Sequence, residues 1–146
     1  MKGFTLIELL IVIAILVTLA VIGGLNLFNY YRRQNLELTV NEITALIRDA
    51  QNRSLSQQDG NQWGLRFENA TQDSIKIFYA TSTLTSTYVL RAGVQFTDPG
   101  EDNSQDIVFK KITGLPLTSS TIKIALKGNS AVSSTITINE NGVIQY

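Results

Sequence analysis

The stretch MKGFTLIELLIVIAILV, Met1–Val17, decides how the rest of the chain is read. It has the composition of a membrane span with one residue out of place. Glu8 sits four residues into the apolar run, where a carboxylate near the middle of a bilayer costs roughly 2.5–3.5 kcal/mol. Working outward, the 23 residues from Leu9 to Tyr31 carry no charge and are mostly Leu, Ile, Val and Ala. As a helix rising about 1.5 Å per residue, such a run crosses a hydrocarbon core of roughly 30 Å. Tyr30-Tyr31 followed by Arg32-Arg33 suits the far interface. Lys2 resembles the charged start of a secretory signal, but no A-x-A cleavage site follows the apolar run. Residues 4–28 are therefore read as a retained transmembrane segment. Charge alone would place the C-terminus in the cytoplasm, because Arg32 and Arg33 outweigh Lys2.

Beyond the span the pattern turns amphipathic over 29–58. Leu36, Val40, Ile43, Ile47 and Ala50 recur at steps of four and three, which places them on one helix face. Asp49 and Arg53 are spaced for an i,i+4 ion pair. No proline precedes Pro99, so one helix is expected from Phe4 to about Gln57, about 80 Å long. Its weak point is Gly23-Gly24, since each glycine costs roughly 1 kcal/mol relative to alanine, and a bend or loosening is expected there. Gln57-Gln58-Asp59-Gly60 reads as the stop, with glycine supplying the left-handed residue.

Residues 59–146 read as strands. Trp63–Glu68 alternates, with Trp63, Leu65 and Phe67 on one face. A turn over Asn69–Asp73 leads to Ser74–Ala80, with Ile75, Ile77 and Tyr79 on one face. A third strand, Thr87–Phe96, is interrupted or bulged at Gly93. Ile107–Ile112, Thr121–Leu126 and Thr135–Ile138 follow. Glu140-Asn141-Gly142 signals a hairpin with positive φ at both Asn and Gly, leading to Val143–Tyr146. The expected fold is α+β: a long N-terminal helix, its first half in lipid and its second half packed on an antiparallel domain of about seven strands. Serine and threonine crowd Thr81–Ser86 and Thr118–Ser134, as in exposed strands and loops outside the cytoplasm.

Composition leaves little equipment for catalysis. Cysteine and histidine are absent and twelve basic residues balance twelve acidic ones. That excludes thiolate and imidazole chemistry and any global attraction to nucleic acid. No Ser, Asp or Lys lies in a catalytic constellation, so neither an enzyme nor a cofactor is expected. Asp98–Asp106 contains four acids but lacks EF-hand spacing and reads as a solvated loop, so no metal site is expected. Lys110, Lys111, Lys123 and Lys127 are the available cations for DNA phosphates, and Lys123 and Lys127 would share a strand face. Their surroundings lack interleaved aromatics, and no nucleic-acid partner is expected. Trp63 with Phe67 is read as core beneath the helix. Asn69-Ala70-Thr71 fits the glycosylation pattern in its three residues only.

Gly3-Phe4-Thr5-Leu6-Ile7-Glu8-Leu9-Leu10 resembles the cleavage and methylation signal of type IV pilins and their type II secretion pseudopilin relatives. The resemblance implies that residues 1–3 are a leader and that a prepilin peptidase cuts between Gly3 and Phe4 on the cytoplasmic side. It implies N-methylation of Phe4 and a single-pass topology with the N-terminus in the cytoplasm and the C-terminal domain outside, against the arginine count. Its other implied partners are pilin or pseudopilin subunits, a platform membrane protein and an assembly ATPase. Glu8 then acquires a role in subunit assembly. Cleavage creates an ammonium on Phe4, and Glu8 of the same or a neighbouring chain is placed to pair with it in low dielectric, fixing axial register between featureless helices. The plainer alternative is that Glu8 snorkels to the cytoplasmic headgroups. Ala50–Ser54, Trp63–Phe67, Thr135–Ile138 and Asn141–Ile144 are similar to minor pseudopilins of the GspH and FimT type. DNA-binding members of that group carry clustered C-terminal arginines, which this chain lacks. The function expected is a minor pilin or pseudopilin. Two alternatives stand beside it: a filament-associated protein binding DNA for uptake, and a single-span membrane protein that never polymerises.

Overall fold

A computed structural model describes residues 4–80 and 83–146, without the side chains of 22–26. Helix α1 spans Leu6–Leu55. The weakness expected at Gly23-Gly24 falls within 22–26, outside the described side chains. Residues 1–32 and Arg33–Tyr146 form separate units.

In the second unit the helical periodicity holds residue by residue. Leu36, Val40, Ile43, Ile47 and Ala50 are all buried. Thr39 and Thr44 are buried on the same helix, and each hydroxyl donates to a carbonyl one turn back, Asn35 O at 2.7 Å and Val40 O at 2.8 Å. Arg53 pairs with Asp49 at 2.9 Å, as the spacing predicts.

The left-handed stop comes earlier than Gly60 would dictate, three residues before it. Gln57 takes the left-handed conformation with φ 52°, a short 3-10 turn covers Gln58–Gly60, and Gly60 follows at φ 68°. Ser54 then locks the helix end to the first strand: its Oγ accepts from Trp63 N–H at 2.9 Å. The Trp63 indole donates to Gln58 O at 3.0 Å, and the Arg53 guanidinium lies 4.8 Å over its ring. Ser54 is fully buried, so Ser54→Ala strands the Trp63 N–H. The expected loss is about 1–3 kcal/mol in urea unfolding; no measurable change would mean that water replaces the hydroxyl.

Among the described residues eight strands follow, in two four-stranded antiparallel sheets. The strands are β1 Trp63–Glu68, β2 Ser74–Tyr79, β3 Thr83–Val89, β4 Val94–Asp98, β5 Ser104–Val108, β6 Ser120–Leu126, β7 Asn129–Ile138 and β8 Ile144–Gln145. One sheet has the order β3-β2-β1-β5 and the other β4-β6-β7-β8. Period-two alternation aims Trp63, Leu65 and Phe67 of β1 into the same core as Ile75 and Ile77 of β2. Registers Leu65↔Ile77, Phe67↔Ile75 and Ile122↔Ile136 stack these residues in rows. The buried face of α1 closes that core, which both sheets share.

Four expectations need correcting. Thr87–Phe96 is not one bulged strand: it belongs to β3 and β4, which lie in different sheets, and Gly93 at φ 84° sits in the turn where the chain crosses between them. The segment expected as Ile107–Ile112 pairs earlier, as Ser104–Val108, because Ile112 turns left-handed at φ 69°. The β7 strand begins at Asn129, well before Thr135, since serines and threonines with exposed side chains still satisfy a ladder. The last hairpin has positive φ at Gly142 alone, and it closes as a three-residue loop, with Gly142 N–H donating to Asn139 O at 2.9 Å and Asn139 N–H to Val143 O at 3.1 Å. Asn139 replaces the second left-handed residue, its Oδ1 accepting from Asn141 N–H at 3.0 Å and Val143 N–H at 2.9 Å.

Candidate functional site

The N-terminal candidates fall at a helix start. Gly3 lies outside the described residues. Phe4 is 83% exposed ahead of α1, and Thr5 is the residue just before it. Thr5 accepts from Glu8 N–H through Oγ1 at 3.4 Å, and its carbonyl accepts from Leu9 N–H at 3.3 Å. Thr5-Leu6-Ile7-Glu8 thus has the spacing of a capping box, hydroxyl first and carboxylate third in the helix. Sequence reasoning missed this, although the Thr-x-x-Glu signal was on the page. A carboxylate in the first turn also meets the positive end of the helix dipole. Glu8 is exposed in the single chain and takes part in no ion pair among the described residues. The position therefore suits a carboxylate locally and leaves it unpaired toward any neighbour.

From Phe4 to Val21 every described side chain is exposed, a cylinder of aliphatic surface that a single chain does nothing to cover. Among the described residues no helix is long and apolar enough to cross a membrane.

The other candidates resolve into structural roles. Trp63 and Phe67 are buried core residues, as expected. Asp106 is held by Arg66 through two hydrogen bonds of 2.7 Å. The hydrogen bond and then the charge of Asp106 raise the Arg66 pKa further above its ordinary value, so this cation persists at every working pH. One of the four acids of the 98–106 segment is thereby committed to an arginine. Among the described residues no three acidic side chains converge on a point. On the same outer face, the Phe78 ring covers Gly64, where an added Cβ would lie 2.9 Å from the ring and 2.8 Å from Ile107 O. Phe78 is buried as a result, a packing role that alternation on β2 did not reveal.

The four lysines do not share a strand face. Lys110 and Lys111 lie in the turn after β5, and Lys111 donates to Gly60 O at 2.7 Å. An irregularity between Ala125 and Leu126 breaks the alternation of β6, and Lys127 lies past its end, so it does not continue the face of Lys123. Lys127 instead lines a polar cleft of about 550 Å³ with Asp73, Glu101 and Asp102, an acidic setting that opposes phosphate. Asn69 is nearly buried, and its amide donates to Phe96 O at 3.2 Å and Pro99 O at 2.8 Å. Both of its protons are used inside the fold, which leaves no amide to glycosylate.

Residues 1–24 match the family described as the prokaryotic N-terminal methylation motif. No match is found among curated protein sequences. Among solved structures, the type IV minor pilin FimU of Pseudomonas aeruginosa is similar in one crystal form at 19% identity and a TM-score of 0.58, over 80% of this chain and 90% of that one. In a second crystal form it is similar at 17% identity and a TM-score of 0.54, over 75% and 90%. The chain therefore joins a prepilin methylation motif to the α+β fold of a type IV minor pilin, the combination that the opening octapeptide and the strand pattern lead one to expect.

Proposed function

We propose that this chain is a minor, membrane-stored subunit of a type IV pilus or a related secretion filament. The supporting observation is the junction itself: a methylation motif over 1–24 leads directly into a helix that continues into a minor-pilin fold. The uncovered aliphatic surface from Phe4 onward fits two environments in turn, a bilayer during storage and neighbouring helices after assembly. In this reading the N-terminus faces the cytoplasm and the β domain lies outside. A prepilin peptidase cuts between Gly3 and Phe4 and methylates Phe4. A platform membrane protein and an assembly ATPase then move the subunit into contact with other pilins. Glu8 meets the new Phe4 ammonium of its own or an adjacent chain, and two charges that are costly singly become a pair.

Mass spectrometry of the mature N-terminus tests the processing step. The expected N-terminal peptide begins at N-methylated Phe4. A filament-borne or membrane-borne chain that still carries Met1-Lys2-Gly3 would sink the proposal.

A further inference from the structure

Arg33 and Glu37 stand four residues apart on α1, the spacing of an i,i+4 ion pair, and both are exposed. Among the described residues neither takes part in an ion pair. Arginine ahead of glutamate is the weaker order for such a pair on a helix. The two charges stand instead on the rim of an open cavity of about 300 Å³. Leu36 and Val40, core residues of the same helix, form its floor with the little surface they leave exposed, 7% and 5%. Tyr146, 63% exposed, forms a wall. The site is an apolar floor between two fixed charges of opposite sign.

The place of the cavity along the chain decides which medium it meets. Arg33 follows Tyr31, the aromatic that suits the far interface of the span, by two residues of one continuous helix, a rise of about 3 Å. Glu37 stands about 6 Å further along. The polar layer of each leaflet is roughly 5–8 Å deep, so Arg33 falls within it and Glu37 at its outer margin. Arg32 is engaged elsewhere, its guanidinium 5.7 Å over the Phe28 ring. Tyrosine suits the same layer, with its ring apolar and its hydroxyl in water, which accounts for an exposed Tyr146 at this point.

The order of the charges selects the ligand. In an ethanolamine phospholipid the phosphate lies nearer the acyl chains and the primary ammonium further out. Arg33, nearer the membrane, matches the phosphate, and Glu37 matches the ammonium, both through charge-assisted hydrogen bonds. A purely anionic headgroup would set a like charge against Glu37. We propose that this cavity seats the headgroup of one ethanolamine phospholipid of the membrane that stores the chain. The inference rests on the membrane-stored reading above and adds a specific lipid to it. The lipid is given up when the subunit leaves the bilayer, so its contacts belong to storage and oppose premature extraction.

Native mass spectrometry tests this on the full-length chain, purified in detergent micelles doped with equal amounts of phosphatidylethanolamine and phosphatidylglycerol. One phosphatidylethanolamine per chain is expected to be retained, several-fold over phosphatidylglycerol. Arg33→Gln should lower that retention about tenfold, the loss of one charge-assisted contact. Glu37→Gln should instead retain the two lipids equally, because the phosphate contact survives and the selection by charge does not. Both side chains are exposed, so the thermal midpoint of the β domain should hold in either variant. A non-specific apolar surface would show neither effect. Soluble phosphoethanolamine at the concentration of the lipid should not displace it, since it lacks the acyl chains. The proposal is overturned by such displacement, by equal retention of the two lipids on the unmutated chain, or by retention that neither variant changes. Cell fractionation tests the underlying reading separately. A chain found only in the soluble fraction sinks membrane storage, while the micelle measurement still decides whether the site takes this headgroup.

Discussion

Glu8→Val is expected to leave the β domain folded and Gly3–Phe4 cleavage intact while lowering filament incorporation a hundredfold or more. The magnitude follows from the proposed pair. Removing one member of a buried ion pair costs about 3–5 kcal/mol, and each 1.4 kcal/mol is a factor of ten. Folding is spared because Glu8 is exposed in the single chain, and the bond from its N–H to Thr5 Oγ1 involves only its backbone. Immunoblots of sheared filaments, normalised to the membrane pool, read the effect. Glu8→Gln separates assembly from helix capping. Glutamine keeps the capping-box geometry but not the charge, so it should fail as valine does if pairing matters and behave as wild type if capping is the whole role. A cleavage-blocked Gly3 variant should fail too, even with Glu8 intact, because the Phe4 ammonium never forms. Combining it with Glu8→Val should add nothing, since both remove the same pair. Wild-type incorporation of Glu8→Val would leave only the snorkelling explanation.

The helix was legible because its signal repeats. Five apolar residues at steps of three and four leave no other periodicity, and all five are buried. β1 was legible to the residue because Trp63, Leu65 and Phe67 alternate with smaller or polar side chains. The crossing between sheets at Gly93 was not, because one glycine in an apolar run reads alike whether the strand bulges or changes partner. The start of β7 was lost for a related reason. Asn129, Ser133 and Ser134 pair with β6 through their backbone, across an irregularity, while the side chains of 129–134 lie largely in water, and hydropathy reports only side chains. Phe78 and Gly64 escaped because they occupy the face of the sheet that alternation assigns to solvent, and only the pairing Gly64↔Phe78 brings the ring over the glycine. At the N-terminus the motif over residues 1–24 was readable from residue types in fixed order. The left-handed backbone at Ile112 was not, since no residue-type pattern encodes that angle.

Phe67→Ala is expected to cost the β domain about 3–5 kcal/mol in urea unfolding, a large share of the 5–15 kcal/mol that holds a typical domain. Phe67 on β1 is fully buried and meets Phe96 on β4 edge-to-face, with ring centroids 5.8 Å apart. The pair joins the two sheets, so its loss opens a cavity between layers that strand pairing within either sheet cannot close. Phe96→Ala and the double variant should therefore couple, with the double variant losing less than the sum of the singles. Leu84→Ala is the control, because Leu84 lies on β3 and is 54% exposed, and its midpoint should move little. The consequence for function differs from that of Glu8. The cleavage motif lies in the first unit and Phe67 in the second, so Phe67→Ala chains should still be trimmed at Phe4 while their β domain is degraded. Intact processing with a falling steady-state level would mark a stability defect. Intact processing with a normal level and no filaments would place the fault in assembly, and would count against Phe67 acting only as core.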